Sequence, residues 1–111
     1  MVSASKEMVV YCFDTLVAHY TGEVVPPPAF DDGQHPLFVT WEKVDGGEPS
    51  LRGCIGSLDT SSLYNGLKYF ALESALRDIR FPPIEAEEIP NLKCTISIQI
   101  TRMQPIIWIG I

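Results

Sequence analysis

Between Leu92 and Thr101 apolar and polar residues alternate without a break. Leu92, Cys94, Ile96, Ile98 and Ile100 fall on one side of an extended chain, and Lys93, Thr95, Ser97, Gln99 and Thr101 on the other. Successive side chains of a strand point to opposite faces, so the stretch is predicted to be a β-strand with one face buried and the other wet or covered by polar groups. Such a strand needs neighbours and a cover. Leu37 to Val44 is rich in β-branched and aromatic residues, Asp45-Gly46-Gly47-Glu48-Pro49 is turn chemistry, and Leu51 to Gly56 follows, a sequence that predicts a β-hairpin. Alternation along its second strand puts Leu51, Gly53 and Ile55 on one side and Arg52, Cys54 and Gly56 on the other.

Two helices supply the cover. Met8, Cys12, Phe13, Leu16, Val17 and Tyr20 recur at the spacing of one helical face; Ser3 or Ser5 stands where a capping side chain is wanted, and Gly22 where a left-handed residue ends a helix. Leu63, Leu67, Phe70, Ala71, Ala75 and Ile79 repeat the pattern, with capping side chains expected at Ser57 to Thr60 and an end at Phe81-Pro82-Pro83. Glu23 to Pro36, with its proline triplet and Asp31-Asp32-Gly33, reads as a long extended loop. Glu85, Glu87, Glu88 and Pro90 read as an acidic connection with a short helical turn and solvated charges. Helix, hairpin, helix and strand in that order predict an α+β fold, an antiparallel or mixed sheet of three strands flanked by two helices.

At 111 residues the chain is one domain with a small core. Its net charge of -6 and dispersed lysines and arginines are the opposite of the footprint that phosphate backbones select, which disfavours nucleic acid as a partner. Three widely spaced cysteines, Cys12, Cys54 and Cys94, form neither a disulfide framework nor a metal knuckle and fit free thiols in the nucleus or cytoplasm. No His, Cys, Asp and Glu set has metal-ligand spacing, and no cofactor is expected. The apolar run Met8 to Phe13 is too short and too charged at its borders for a secretory signal, and Pro105 to Ile111 is far below a membrane-spanning length.

Leu51-Arg52-Gly53-Cys54-Ile55-Gly56 stands after Pro36-Leu37-Phe38-Val39-Thr40, and Asp78-x-Arg80-Phe81-Pro82-Pro83 and Glu88-Ile89-Pro90 follow in order. These four ordered motifs, spread over Met8 to Ile100, resemble the AMMECR family, named for a chromosomal region linked to Alport syndrome, midface hypoplasia and elliptocytosis. The resemblance implies an intracellular α+β domain with an antiparallel sheet flanked by helices, to which no activity is firmly attached. It also implies a domain that continues past Ile100. Residues 5–100 are therefore expected to be the first part of a larger AMMECR-type domain, and residues 101–111 a divergent apolar tail.

Within the hexapeptide Cys54 is the candidate nucleophile. A thiolate attacks readily, and Arg52 on the same strand face would stabilise the anion. Gly53 and Gly56 would let a ligand or another backbone approach closely, with Leu51 and Ile55 completing the motif. The competing reading makes Cys54 a small buried hydrophobe in a strand whose glycines serve tight packing or a bulge, and no base for it is evident. His19 and His35 read as a helix-end residue and a loop residue. Asp78 and Arg80, with Arg77 beside them, read as surface or interelement ion pairs ahead of a substrate clamp, and Phe38 and Trp41 as core or sheet-cover residues. A regulatory module acting through an unknown protein partner, without membrane association, is expected ahead of a thiol enzyme.

Overall fold

The computed structural model describes residues 5–99 and 106–110. Its elements are α1 (Lys6–Thr21), β1 (Gln34–Lys43), β2 (Ser50–Ser62), α2 (Leu63–Leu76), a 3-10 helix (Ala86–Asn91), β3 (Leu92–Gln99) and β4 (Ile106–Gly110). The strands form one antiparallel sheet in the order β2-β1-β3-β4, the expected α+β class. β1 and β2 are the predicted hairpin. Both β2 and β3 pair antiparallel with β1 and so run parallel to each other, with α2 making the crossover between them.

The alternation read from β3 decides which face of the sheet is dry. Cys94, Ile96 and Ile98 are buried, as are Leu37, Val39 and Trp41, their neighbours in β1. Met8, Cys12 and Leu16 of α1 and Leu63, Leu67 and Ala71 of α2 close over them in one core. Each large apolar side chain buried in this way contributes roughly 1.5–3 kcal/mol. Trp41 also keeps its indole N–H satisfied, donating to the Ala71 carbonyl at 3.0 Å, while the Phe13 ring meets it edge-on. The proline-rich loop is tied down by Phe30, whose ring sits between Tyr11 and Tyr64 and whose carbonyl accepts from the Tyr64 hydroxyl.

Gly22 ends α1 with φ of 76°, the left-handed conformation its position predicts, and donates to the Ala18 carbonyl. Ser5 is the residue before the helix, yet its side chain makes no capping bond. Ser3 and Ile100 lie outside the described residues, as do Thr101 to Pro105 and Ile111 of the expected tail.

Four boundaries differ from the sequence reading. β1 begins at Gln34 inside the expected loop, and its register slips at Pro36, which has no N–H to offer. The segment 57–60, expected to cap α2, continues β2 instead; the cap is Ser62, which accepts from the Asn65 N–H. Asp32, distant in sequence, accepts from the Tyr64 N–H and the Ser62 hydroxyl and so completes the helix start. α2 stops at Leu76, three residues before Ile79, which is 99% exposed; the buried place is taken by Ile84, whose N–H donates to the Ala75 carbonyl. Ile106 to Gly110, assigned to the apolar tail, pairs with β3 as a fourth strand, in keeping with its β-branched and aromatic content.

Candidate functional site

β2 is an edge strand, and the hexapeptide occupies its first half. Trp41 pairs with Gly53 and Glu42 with Leu51, so Arg52 is the extra residue of a β-bulge. The bulge breaks the alternation on which the Arg52 and Cys54 pairing rested. It sets Leu51 in register with Glu42, across the sheet from the face that Gly53 and Ile55 present to the core, and it releases Arg52 from the ladder.

Arg52 reaches the far connection instead. Its Nε and an Nη donate to the two oxygens of Glu88, both at 2.9 Å, and the remaining donors reach the carbonyls of Pro82 and Pro83. Lys43 stands 3.6 Å from the same carboxylate. The Glu88 side chain is 14% exposed, so the expected solvated surface charge is in fact a largely buried one with two cationic partners. A planar guanidinium matches a carboxylate in two bonds at once, which makes this the strongest polar contact between β2 and the chain after α2.

Cys54 is held by a second pair. Its N–H donates to Asp78 Oδ2 at 3.0 Å and its carbonyl accepts from Arg80 at 3.3 Å, while Arg80 and Asp78 bridge each other at 2.6 Å. Acid and base thus take the positions that the amide and carbonyl of a neighbouring strand would occupy. The half-buried thiol accepts from the Thr40 hydroxyl across the hairpin at 3.1 Å. Among the described residues no hydrogen bond or ion pair joins Arg52 to Cys54, and neither histidine bonds to it: His19 packs its ring on Tyr20, and His35 pairs with Ser61. Cys12 and Cys94 are core thiols; a hydrogen bond that the Cys12 thiol donates to Cys94, then burial, push the Cys12 thiol well above its ordinary value.

Both motif glycines are filled by backbone. A Cβ on Gly53 would overlap the Ser74 carbonyl of α2, and one on Gly56 would overlap Leu37 and Phe38 of β1. The four sequence motifs contain every residue of this cluster except Lys43, and the sequence reading misjudged Glu88. Its only signal was that Glu88 stands in one of the four motifs, because nothing local announces a partner 36 positions away.

The ion pairs give the site a pH dependence. Arg52 holds the Glu88 carboxyl down to about 2 from an ordinary 4.5, and Arg80, with the Cys54 N–H, holds Asp78 well below the carboxylate range. Depressed folded-state values mean that stability is fully present above the unfolded values, near pH 4–4.5, and is lost as pH falls towards the folded ones. For Glu88 the loss is on the order of 2–3 kcal/mol. Urea unfolding followed from pH 6 to pH 2 is expected to show a falling midpoint below about pH 4.5. A flat profile would mean that the two carboxylates are not paired in solution.

Among the described residues no group of three or more His, Cys, Asp and Glu side chains could hold a metal ion, and no helix is long and apolar enough to cross a membrane. Comparison with known proteins gives a match of residues 9–108 to the family model AMMECR1, a stretch that runs past Ile100. An uncharacterised protein of Arabidopsis thaliana is 65% identical over 99 residues, covering 88% of this chain and 46% of that protein. One from Kluyveromyces lactis is 48% identical over 75 residues, covering 68% of this chain and 32% of its own length. The crystal structure of an uncharacterised protein from Pyrococcus horikoshii superposes with a TM-score of 0.69 at 29% identity, covering 82% of this chain and 48% of that one. The chain spans less than half the length of each of these three relatives.

Proposed function

The chain belongs to the AMMECR1 family, and from that premise we propose that it is a protein-interaction module of the nucleus or cytoplasm, with the hexapeptide as its structural keystone. The observation that carries this reading is the occupancy of the motif. Arg52 is taken by Glu88, the Cys54 backbone by Asp78 and Arg80, and the space over both glycines by other backbone. A nucleophile needs a base and an unsatisfied place for substrate, whereas these groups are spent on holding β2 to α2 and to the connection after it. The net charge of -6 favours proteins over nucleic acid as partners.

Chemical cross-linking of the intact chain in a eukaryotic cell extract, read by mass spectrometry, tests the module. A reproducible partner whose cross-links survive Cys54→Ser supports it, and a chain that cross-links to nothing overturns it. The alternative, a thiol enzyme, is favoured by one observation: the Thr40 hydroxyl donates to the Cys54 sulfur. Iodoacetamide is expected to label Cys54 at pH 7 no faster than it labels glutathione. Labelling tenfold faster would favour the enzyme.

A further inference from the structure

Away from the hexapeptide, α1 and the proline-rich loop enclose a groove of about 340 Å³, lined by Val10, Tyr11, Glu7 and Asp14 on one side and Pro26 to Pro28 on the other. We propose that this groove takes an extended segment of a partner protein that presents an arginine or lysine beside an apolar residue. The inference rests on the interaction-module reading and adds the place and the chemistry of the partner.

Three observations converge. Val10 is 45% exposed on a helix whose other face forms the core, and with the prolines it makes an apolar floor and wall. Glu7, Val10 and Asp14 lie at i, i+3 and i+7, on one stripe of α1, which sets two carboxylates on either side of that floor. Among the described residues neither carboxylate has an ion-pair or hydrogen-bond partner, in contrast to Asp78 and Glu88. Lys6 also lines the groove, and the balance of the three charges is one negative. Finally, Tyr11 is buried to all but 8%, lines the groove, and makes no hydrogen bond through its hydroxyl among the described residues. A phenol in that position can donate to a peptide carbonyl or accept from a guanidinium.

Rigid walls suit an extended guest. Prolines fix their own φ and lose little freedom when a partner docks, and a helix is equally preorganised. The acidic balance of the whole chain would draw a basic segment in at low ionic strength, and the unpaired carboxylates would orient it.

Random dodecapeptides displayed on phage and selected against the intact chain test the proposal. Enriched sequences are expected to carry arginine or lysine next to apolar residues. Fluorescein-labelled copies are expected to lose tenfold or more in affinity on Val10→Lys and on Glu7→Lys/Asp14→Lys, and two- to fivefold on Tyr11→Phe. Glu7→Lys alone, at an exposed position, should lose at least threefold, which keeps the test intact should the double variant fold poorly. Asp59→Lys, an exposed carboxylate outside the groove, should leave binding unchanged. No enrichment, enrichment without basic residues, or affinities indifferent to the groove variants would overturn the proposal. Equal losses on Asp59→Lys would also overturn it, because binding would then be diffuse charge attraction. The module reading itself stands or falls on the cross-linking result.

Discussion

Gly53→Ala is expected to cost at least about 3 kcal/mol and to leave much of the chain unfolded at 37 °C. Overpacking a core usually costs 1–3 kcal/mol, because flexible side chains yield. Here the obstruction is the Ser74 carbonyl, part of the backbone of α2, and the methyl group has no rotamer to choose. Relief would require α2 to lift from the sheet, which would stretch the Trp41 bond to Ala71 and uncover Phe70. Gly47→Ala is the control, since nothing lies within 4 Å of a Cβ there, and it should change stability by less than about 0.5 kcal/mol. Urea unfolding monitored by tryptophan fluorescence would separate the two. A Gly53→Ala variant as stable as the parent would show that α2 does not press on β2 at that point.

Arg52→Ala is expected to cost about 3–5 kcal/mol, far beyond an ordinary surface ion pair. The reason is the residue left behind. Glu88 would keep its charge in a largely buried place with Lys43 alone, 3.6 Å away, and two proline carbonyls would lose their donors. The double variant Arg52→Met/Glu88→Leu is expected to recover most of the loss, to within about 1 kcal/mol of the parent, because a buried pair of charges replaced by apolar groups is often close to neutral. Unfolding free energies for Arg52→Met, Glu88→Leu and the double variant close the cycle. If Arg52→Ala costs less than 1 kcal/mol, Glu88 is solvated and the bridge is incidental.

The parts of the fold that repeat with a local period were legible in the sequence. β3 announced itself by alternation, α1 by its apolar stripe, and Gly22 by the left-handed end it makes possible. What failed was set by contacts between distant residues. Alternation through Arg52 could not reveal a bulge, which exists because β1 and β2 differ by one residue between Trp41 and Glu42. The apolar spacing that includes Ile79 is a valid helical pattern, and α2 abandons it because Asp78 is drawn to the Cys54 N–H. Glu88 looked like one of several solvated acids, and only the return of the chain past Arg52 distinguishes it from Glu85 and Glu87. The family motifs marked these residues without explaining them; the explanation is that three of the four motifs hold one another in place.

The hydrogen bonds that Asp78 and Arg80 make to Cys54 bear on how copies of this protein meet. A bare strand edge is a template: its unpaired amides and carbonyls accept a further strand from any extended chain, including another copy, and fibrils grow by that rule. At Cys54 both positions are already filled by charged side chains whose own bond would have to open first. The sheet is therefore sealed on its β2 side in the middle of the hexapeptide. Asp78→Asn combined with Arg80→Ala would turn this sealed margin into a seed for strand addition, and the sign of it would be thioflavin-positive growth of the variant beyond that of the parent under the same conditions.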